Sequence, residues 1–163
     1  MPITPLHIWQ GMIFKALFQG SFSFMVFGWA QIIMDIQPVY VVLADSRRFE
    51  LHGFSHTYLG ATLLAILSAL SGKYVAQWGL KRLVLPETIS WLCVFFSAFL
   101  GTYSHVVLDS IMHDDIQPFF PFSLDNPFVD VMTIEQLHWF CLISGLLGAV
   151  FYYLIKTIKN IKE

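Results

Sequence analysis

Three long apolar segments constrain this chain more than any other feature of its sequence. They cover residues 54–71, 88–112 and 137–155. As α-helices rising about 1.5 Å per residue, they are long enough, or nearly so, to cross about 30 Å of hydrocarbon. Only 12% of the 163 residues are charged, against about 25% in a typical soluble domain. A helical protein embedded in a membrane is therefore a better prediction than a soluble domain with a large core.

The residues that flank these segments are typical of helix ends. Pro86, Glu87 and Thr88 precede the second segment, and Thr133 and Glu135 precede the third. Three lysines follow the third segment, where cations suit the negative end of a helix dipole: Lys156, Lys159 and Lys162. The segments are therefore predicted to be helices.

The N-terminal third has a different pattern. Residues 5–18 and 22–35 are both apolar, and Gly20 and Ser21 between them suit a tight turn. Each arm would be a helix of roughly 21 Å, which is short for a membrane span. We interpret this region as a helical hairpin, and the alternative is one continuous span over residues 17–35.

The predicted fold is an all-α integral membrane bundle with a short N-terminal hairpin and about three longer helices, in a single domain over residues 1–163. The net charge of −2 gives no basic field for binding nucleic acid. Cys93 and Cys141 lie in apolar runs, which predicts buried side chains rather than a disulfide or a cysteine metal site. The sequence does not indicate an oligomeric state.

The distribution of basic residues predicts the orientation in the membrane. Residues 73–87 and the C-terminal tail carry lysine and arginine, whereas residues 112–136 contain five acidic residues and neither Lys nor Arg. Basic loops favour the cytoplasmic side, so the acidic loop is predicted to lie outside. Arg47 and Arg48 oppose this orientation.

Several ionisable side chains lie in or beside apolar segments, where they are expensive and usually functional. They are His7, Asp35, His52, His56, His105, Asp109 and His113. His105, Asp109 and His113 are spaced four residues apart, which would place them on one helix face. His52 and His56 repeat that spacing, and two such ligands can bind one metal ion.

The depth of these residues in the bundle predicts that they meet. His56 begins one helix and Asp109 ends the next, antiparallel helix, so both lie at the same end. A hairpin adds His7 and Asp35 to that end, whereas a single span would put His7 on the other side. Asp109 could instead simply pair with His105, but several desolvated His and Asp side chains together need a cation to organise them.

Three stretches resemble a known protein family: residues 1–7 (MPITPLH), 53–60 (GFSHTYLG) and 101–123 (GTYSHVVLDSIMHDDIQPFFPFS). They resemble the YdjM-type, inner-membrane-associated metal-dependent hydrolases, a family with distant similarity to zinc-dependent phospholipase C and P1 nuclease. The resemblance implies a multi-pass protein of the bacterial inner membrane, and the orientation predicted from the basic residues puts its active site towards the outer face. It also implies five metal ligands, with Asp109 as a bridge between two ions: His7, Asp35, His56, His105 and Asp109.

The sequence departs from the family pattern at three places. His52 stands where an arginine is expected and is kept as a further candidate ligand. The element around Asp35 lacks its second carboxylate. No clear match exists for the motif that completes the second zinc site, for which His113 and Asp114 could substitute.

The expected function is hydrolysis of a phosphoester, with lipid headgroups among the substrates and membrane lipid as the partner. One or two Zn²⁺ ions suit these ligands, and Mn²⁺ or Fe²⁺ would accept the same set. Asp35 or Asp114 could act as the base, and His113 could protonate the leaving group. The aromatic loop at residues 117–128 either covers the site or rests on the membrane. The alternatives are a non-catalytic metal-binding or metal-transporting membrane protein, and a scaffold for another membrane protein.

Overall fold

A computed structural model describes residues 4–44, 52–85 and 88–162, and every regular element within them is helical. Seven α-helices follow in order: α1 (Thr4–Trp9), α2 (Gly11–Phe18), α3 (Phe24–Met34), α4 (Ile36–Leu43), α5 (Tyr58–Arg82), α6 (Trp91–Met112) and α7 (Ile134–Lys162). Short 3₁₀ turns lie at Gln19–Ser21 and Phe54–His56. The prediction of an all-α fold is confirmed.

The N-terminal hairpin is present, because the chain turns back between α2 and α3. Lys15 stabilises the turn by donating from Nζ to the carbonyl oxygens of Gln19 and Phe22, each at 2.8 Å. Ser23 then caps α3 by accepting a hydrogen bond from the Val26 N–H. One uninterrupted span over residues 17–35 is therefore wrong.

The second arm of the hairpin is longer than predicted. It was expected to end at Asp35, but α4 continues the helical path, and Phe24–Leu43 is long and apolar enough to cross a membrane. Pro38 explains the break between α3 and α4, since it has no N–H for the Met34 carbonyl and its ring crowds that group. The chain therefore kinks at Asp35 rather than stopping there.

Two of the longer helices, α5 and α7, extend beyond the predicted segments, whereas α6 lies within its predicted range. α5 continues past residue 71 to Arg82, so the basic residues assigned to a loop lie on its last turns. α6 begins after Ser90, whose Oγ accepts from the Cys93 N–H. Thr133 and Gln136 form a reciprocal capping box before α7, which confirms the predicted start of that helix. Pro86, Glu87, Arg47 and Arg48 lie outside the described residues.

Small side chains allow the helices to approach closely. α3, α5 and α6 pack together, with Ala69 and Ala98 buried between them, and α2 packs against α7. A Cβ added at Gly148 of α7 would lie 2.2 Å from the backbone nitrogen of Ile13 in α2. Small residues at such contacts are typical of helices that associate in lipid.

Within the described residues, four helical segments are long and apolar enough to cross a membrane: Phe24–Leu43, Tyr58–Arg82, Trp91–Met112 and Ile134–Ile161. α7 is the most exposed of them, and large apolar side chains such as Leu146 and Phe151 point outwards along it. Both cysteines are buried and free, which confirms the prediction of buried side chains that form no disulfide. The outer surface of the bundle therefore suits hydrocarbon.

Candidate metal centre

The candidate centre lies at the end of the bundle where α6 ends and α5 begins. His105 and Asp109 occupy the last two turns of α6, and His56 closes the 3₁₀ turn before α5. Asp35 lies at the kink between α3 and α4, and His7 lies on α1. Four of these residues have ligand atoms within 4.8 Å of one another: Asp35, His56, His105 and Asp109.

The Asp109 carboxylate is the middle of this cluster. Its Oδ2 lies 3.2 Å from Nε2 of His105 and 3.3 Å from Nε2 of His56. Its Oδ1 lies 3.7 Å from Nε2 of His7. His105 Nε2 also lies 3.2 Å from Asp35 Oδ1, so side chains from separate helices converge on one small volume.

The cluster is closed on most sides. His56, His105 and Asp109 are only 1%, 0% and 5% exposed. The Asp35 side chain is 22% exposed and is the most accessible of the four. Charged groups at this depth are stable only when paired or bound to a metal. Asp35 is the side chain through which the cluster is most accessible.

Gln31 fixes the proton position on His105. Its Nε2 donates to the Gly101 carbonyl oxygen at 3.1 Å and to Ser104 Oγ at 3.3 Å. Its Oε1 therefore faces His105 Nδ1, at 2.6 Å, and can only accept. Nδ1 of His105 therefore carries a proton, and Nε2 is the ring nitrogen that points into the cluster.

His56 and His7 also direct Nε2 towards the Asp109 carboxylate. Nδ1 of His56 lies 2.9 Å from Ser55 Oγ, so its Nε2 faces Asp109. Burial lowers the pKa of His7 to about 4, against the opposing charge of Asp109. His7 is therefore neutral at physiological pH, as a metal ligand must be.

The buried nitrogens in the cluster lack hydrogen bonds. Nε2 of His56 and Nε2 of His105 make none to any atom of the described residues, although each lies close to a carboxylate oxygen. A buried polar atom without a partner is rare and requires an explanation. Imidazoles that point at one shared position, rather than at one another, are typical of a metal site.

The structure places His52 and His113 in a second group rather than in this cluster. α6 ends at Met112, and His113 has extended backbone angles (φ −124°, ψ 118°). The prediction that His113 shares a helix face with His105 and Asp109 is therefore wrong, because the residue is no longer on the helix. Its ring packs on that of His52, with centroids 4.1 Å apart.

Asp115 completes this second group, whose three ligand atoms also lie within 4.8 Å of one another. Nδ1 of His52 lies 3.1 Å from both carboxylate oxygens of Asp115. Asp114 is exposed and is in neither group of the described residues. Its assignment as a base stays a prediction.

Sequence reasoning missed two functional neighbours of the imidazoles. Gln31 is uncharged, so a search for ionisable residues in apolar segments passes over it, although a buried amide in such a segment is itself a signal. Asp115 was considered only as one of the five acidic residues in the loop over residues 112–136. The sequence alone does not show which of the two adjacent carboxylates, Asp114 or Asp115, points towards His52.

The fold and the site together define a class: an all-helical membrane protein with a buried cluster of imidazoles and carboxylates at one end of the bundle. Residues 9–161 match the family of YdjM inner membrane proteins, and the chain belongs to that family. No curated protein and no solved structure matches the chain. The wider similarity to zinc-dependent phospholipase C and P1 nuclease is not among these findings and stays an expectation from the sequence.

Proposed function

We propose that this protein is a membrane-embedded, metal-dependent hydrolase of phosphoesters, with lipid headgroup phosphodiesters as the substrate class. Asp35, His56, His105 and Asp109 would hold the divalent cation. The observation that carries the proposal is the pair of buried Nε2 atoms, of His56 and His105, that make no hydrogen bond and face one carboxylate.

The spacing of the cluster supports this assignment. Ligands at about 2.0–2.1 Å from a tetrahedral zinc ion lie about 3.3 Å from one another. Three separations between imidazole nitrogens and carboxylate oxygens, 3.2 Å, 3.2 Å and 3.3 Å, are close to that value. Two nitrogen and two oxygen donors suit Zn²⁺ best, and Mn²⁺ or Fe²⁺ would also accept them.

The chain's own residues have separable roles in such a reaction. A bound divalent cation would supply a water of lowered pKa and polarise a phosphoryl oxygen. Asp35 is the most exposed of the four ligands, so it would give up its position on the cation to the attacking water and then receive a proton from that water. Gln31 holds His105, and Asp109 stays buried to balance charge.

The position of the site favours a substrate at the lipid headgroups. The loop over residues 117–128 is fixed at its start, because the Tyr58 N–H donates to the Pro118 carbonyl oxygen at 2.8 Å. Phe122 in this loop is 90% exposed, and an exposed aromatic ring suits a membrane interface. The orientation that the basic residues predict puts this end of the bundle outside the cytoplasm.

Metal analysis of the purified protein is the first test. We expect bound zinc in the wild type and a lower zinc content in His105→Gln and in Asp109→Asn. Asp130→Asn is the matched control, because it removes an exposed carboxylate outside the cluster. Full metal content in both cluster variants would remove these residues from the ligand set.

Activity is the second test. We expect the metal-loaded protein to release phosphate or a phosphorylated headgroup from a panel of phospholipids, and His105→Gln to lose this release. Metal binding without release of any product would instead support a metal-binding or metal-transporting protein.

A further inference from the structure

The second group of side chains lies beside the centre already described but is separate from it. His52 precedes the 3₁₀ turn before α5, and His113 and Asp115 follow α6. The rings of His52 and His56 have centroids 5.0 Å apart. His52 of the second group and His56 of the first centre are therefore neighbours.

The three side chains form a compact set of donors. His52 is only 4% exposed, and its Nδ1 is equally distant, 3.1 Å, from both oxygens of Asp115. The His113 ring lies almost face to face with the His52 ring, at an interplanar angle of 34°. Apolar packing alone does not require two imidazoles and a carboxylate to share one position.

A cavity of about 240 Å³ opens at this group. His52 and Asp115 line it together with Gln117, and Phe54 and Phe120 form aromatic walls. A cation held here would therefore face open space on one side. Three protein ligands with one open position are typical of catalytic rather than structural metal sites.

We propose that His52, His113 and Asp115 hold a second divalent cation next to the first, with an open coordination position that faces this cavity. Two imidazoles and one carboxylate are a donor set for Zn²⁺ and related transition metals. This role rests on the proposed phosphoester hydrolysis: a cation held here would bind a phosphoryl oxygen of the substrate beside the first cation. Two adjacent cations of this kind stabilise both the attacking and the leaving oxygen.

The test is the number of zinc ions per chain after equilibrium dialysis of the purified protein against Zn²⁺ in detergent. We expect two in the wild type, one in Asp115→Asn and one in His113→Gln. The Asp115 side chain is 44% exposed, so its replacement by Asn removes a donor without opening a core. Asp114→Asn, one residue away and outside the group, should keep both ions.

Variants of the first centre separate the two proposals. His105→Gln should lower the count by one while leaving the ion that Asp115→Asn removes. One ion in the wild type that survives in Asp115→Asn and His113→Gln but is lost in His105→Gln would overturn the second site and leave the first intact. Substitution with Co²⁺ gives an independent readout, because Asp115→Asn should remove the visible absorption of one of the two ions that the wild type binds.

Discussion

His105 shows how one residue can be prepared for a metal by its neighbours. Its ring is fully buried, and Gln31 holds Nδ1 at 2.6 Å while its own amide is held by Gly101 and Ser104. Such partners set the tautomer and the direction of a ligating histidine, and their loss typically costs about 10–100-fold in metal affinity.

We therefore predict that Gln31→Leu keeps the fold but weakens zinc binding by about 10–100-fold. Leucine is similar in size, but it cannot hold the His105 ring in the direction that points Nε2 into the cluster. Competition titration against a chromogenic zinc chelator in detergent measures the change.

Ser68→Ala is the control for this variant. Ser68 is also fully buried on an apolar helix, but its hydroxyl has no partner among the described residues. Its removal should leave zinc affinity unchanged and stability equal or slightly higher. Equal affinities of Gln31→Leu and the wild type would show that Gln31 does not orient a ligand.

At the scale of elements, the contact between α2 and α7 holds the hairpin against the bundle. Gly148 of α7 lies directly against the backbone of α2. A Cβ added there would be 2.2 Å from Ile13 N and 2.4 Å from Met12 C. Backbone atoms cannot move aside as a flexible side chain can, so even a methyl group forces the helices apart.

Gly148→Ala is therefore predicted to destabilise the protein by about 1–3 kcal/mol, the usual cost of overpacking. Thermal unfolding in detergent gives the comparison. Gly20→Ala, in the turn of the same hairpin, has nothing within 4 Å of the added Cβ and should unfold at the wild-type temperature. A wild-type midpoint for Gly148→Ala would mean that α2 does not pack on α7 as closely as described.

The sequence predicted which helices form better than it predicted where each helix begins and ends. Apolar length and the turn residues Gly20 and Ser21 were sufficient for the hairpin and the three longer helices. The kink at Asp35 was missed because the segment was read as ending at its first charge, although Pro38 predicts a break there. The end of α5 was missed because lysines on the last turns of a helix were read as a loop.

The site was predictable where helix periodicity holds and not where the helix ends. His105 and Asp109, four residues apart inside α6, do lie together. His113 continues the spacing but lies beyond the helix, so its side chain joins His52. Which carboxylate of the acidic loop turns towards His52 depends on tertiary packing, and no local pattern in the sequence encodes it.

At the scale of the whole molecule, the basic residues predict one orientation across the membrane. Leu83 follows the basic end of α5, and Leu124 lies in the acidic loop near the candidate centre; both are exposed. The natural cysteines are buried and can be replaced by alanine to give a background for labelling.

A membrane-impermeant maleimide should label Leu124→Cys in intact cells and Leu83→Cys only after lysis. This result is expected because lysine and arginine favour the cytoplasmic side of a membrane. The opposite pattern would put the candidate centre in the cytoplasm and its substrate in the inner leaflet.

A cation bound by Asp35, His56, His105 and Asp109 would also join the hairpin, the start of α5 and the end of α6. Because the unfolded chain cannot present these ligands together, the binding free energy adds to the stability of the fold. A metal at 100 times its dissociation constant adds about 2.7 kcal/mol. In a domain of this size, 1 kcal/mol corresponds to a shift of about 2–4 °C in the midpoint of unfolding.

We accordingly expect the wild-type midpoint in detergent to rise by about 5–10 °C for each cation bound between chelator-treated and zinc-loaded protein. His105→Gln should show a smaller rise, limited to what the second site contributes, and Asp115→Asn combined with His105→Gln should show none. Asp130→Asn should behave as the wild type does, since it removes a carboxylate but no ligand. A midpoint that does not depend on zinc in the wild type would mean that the helices meet at this end of the bundle without a metal to hold them, and the hydrolase proposal would fail with it.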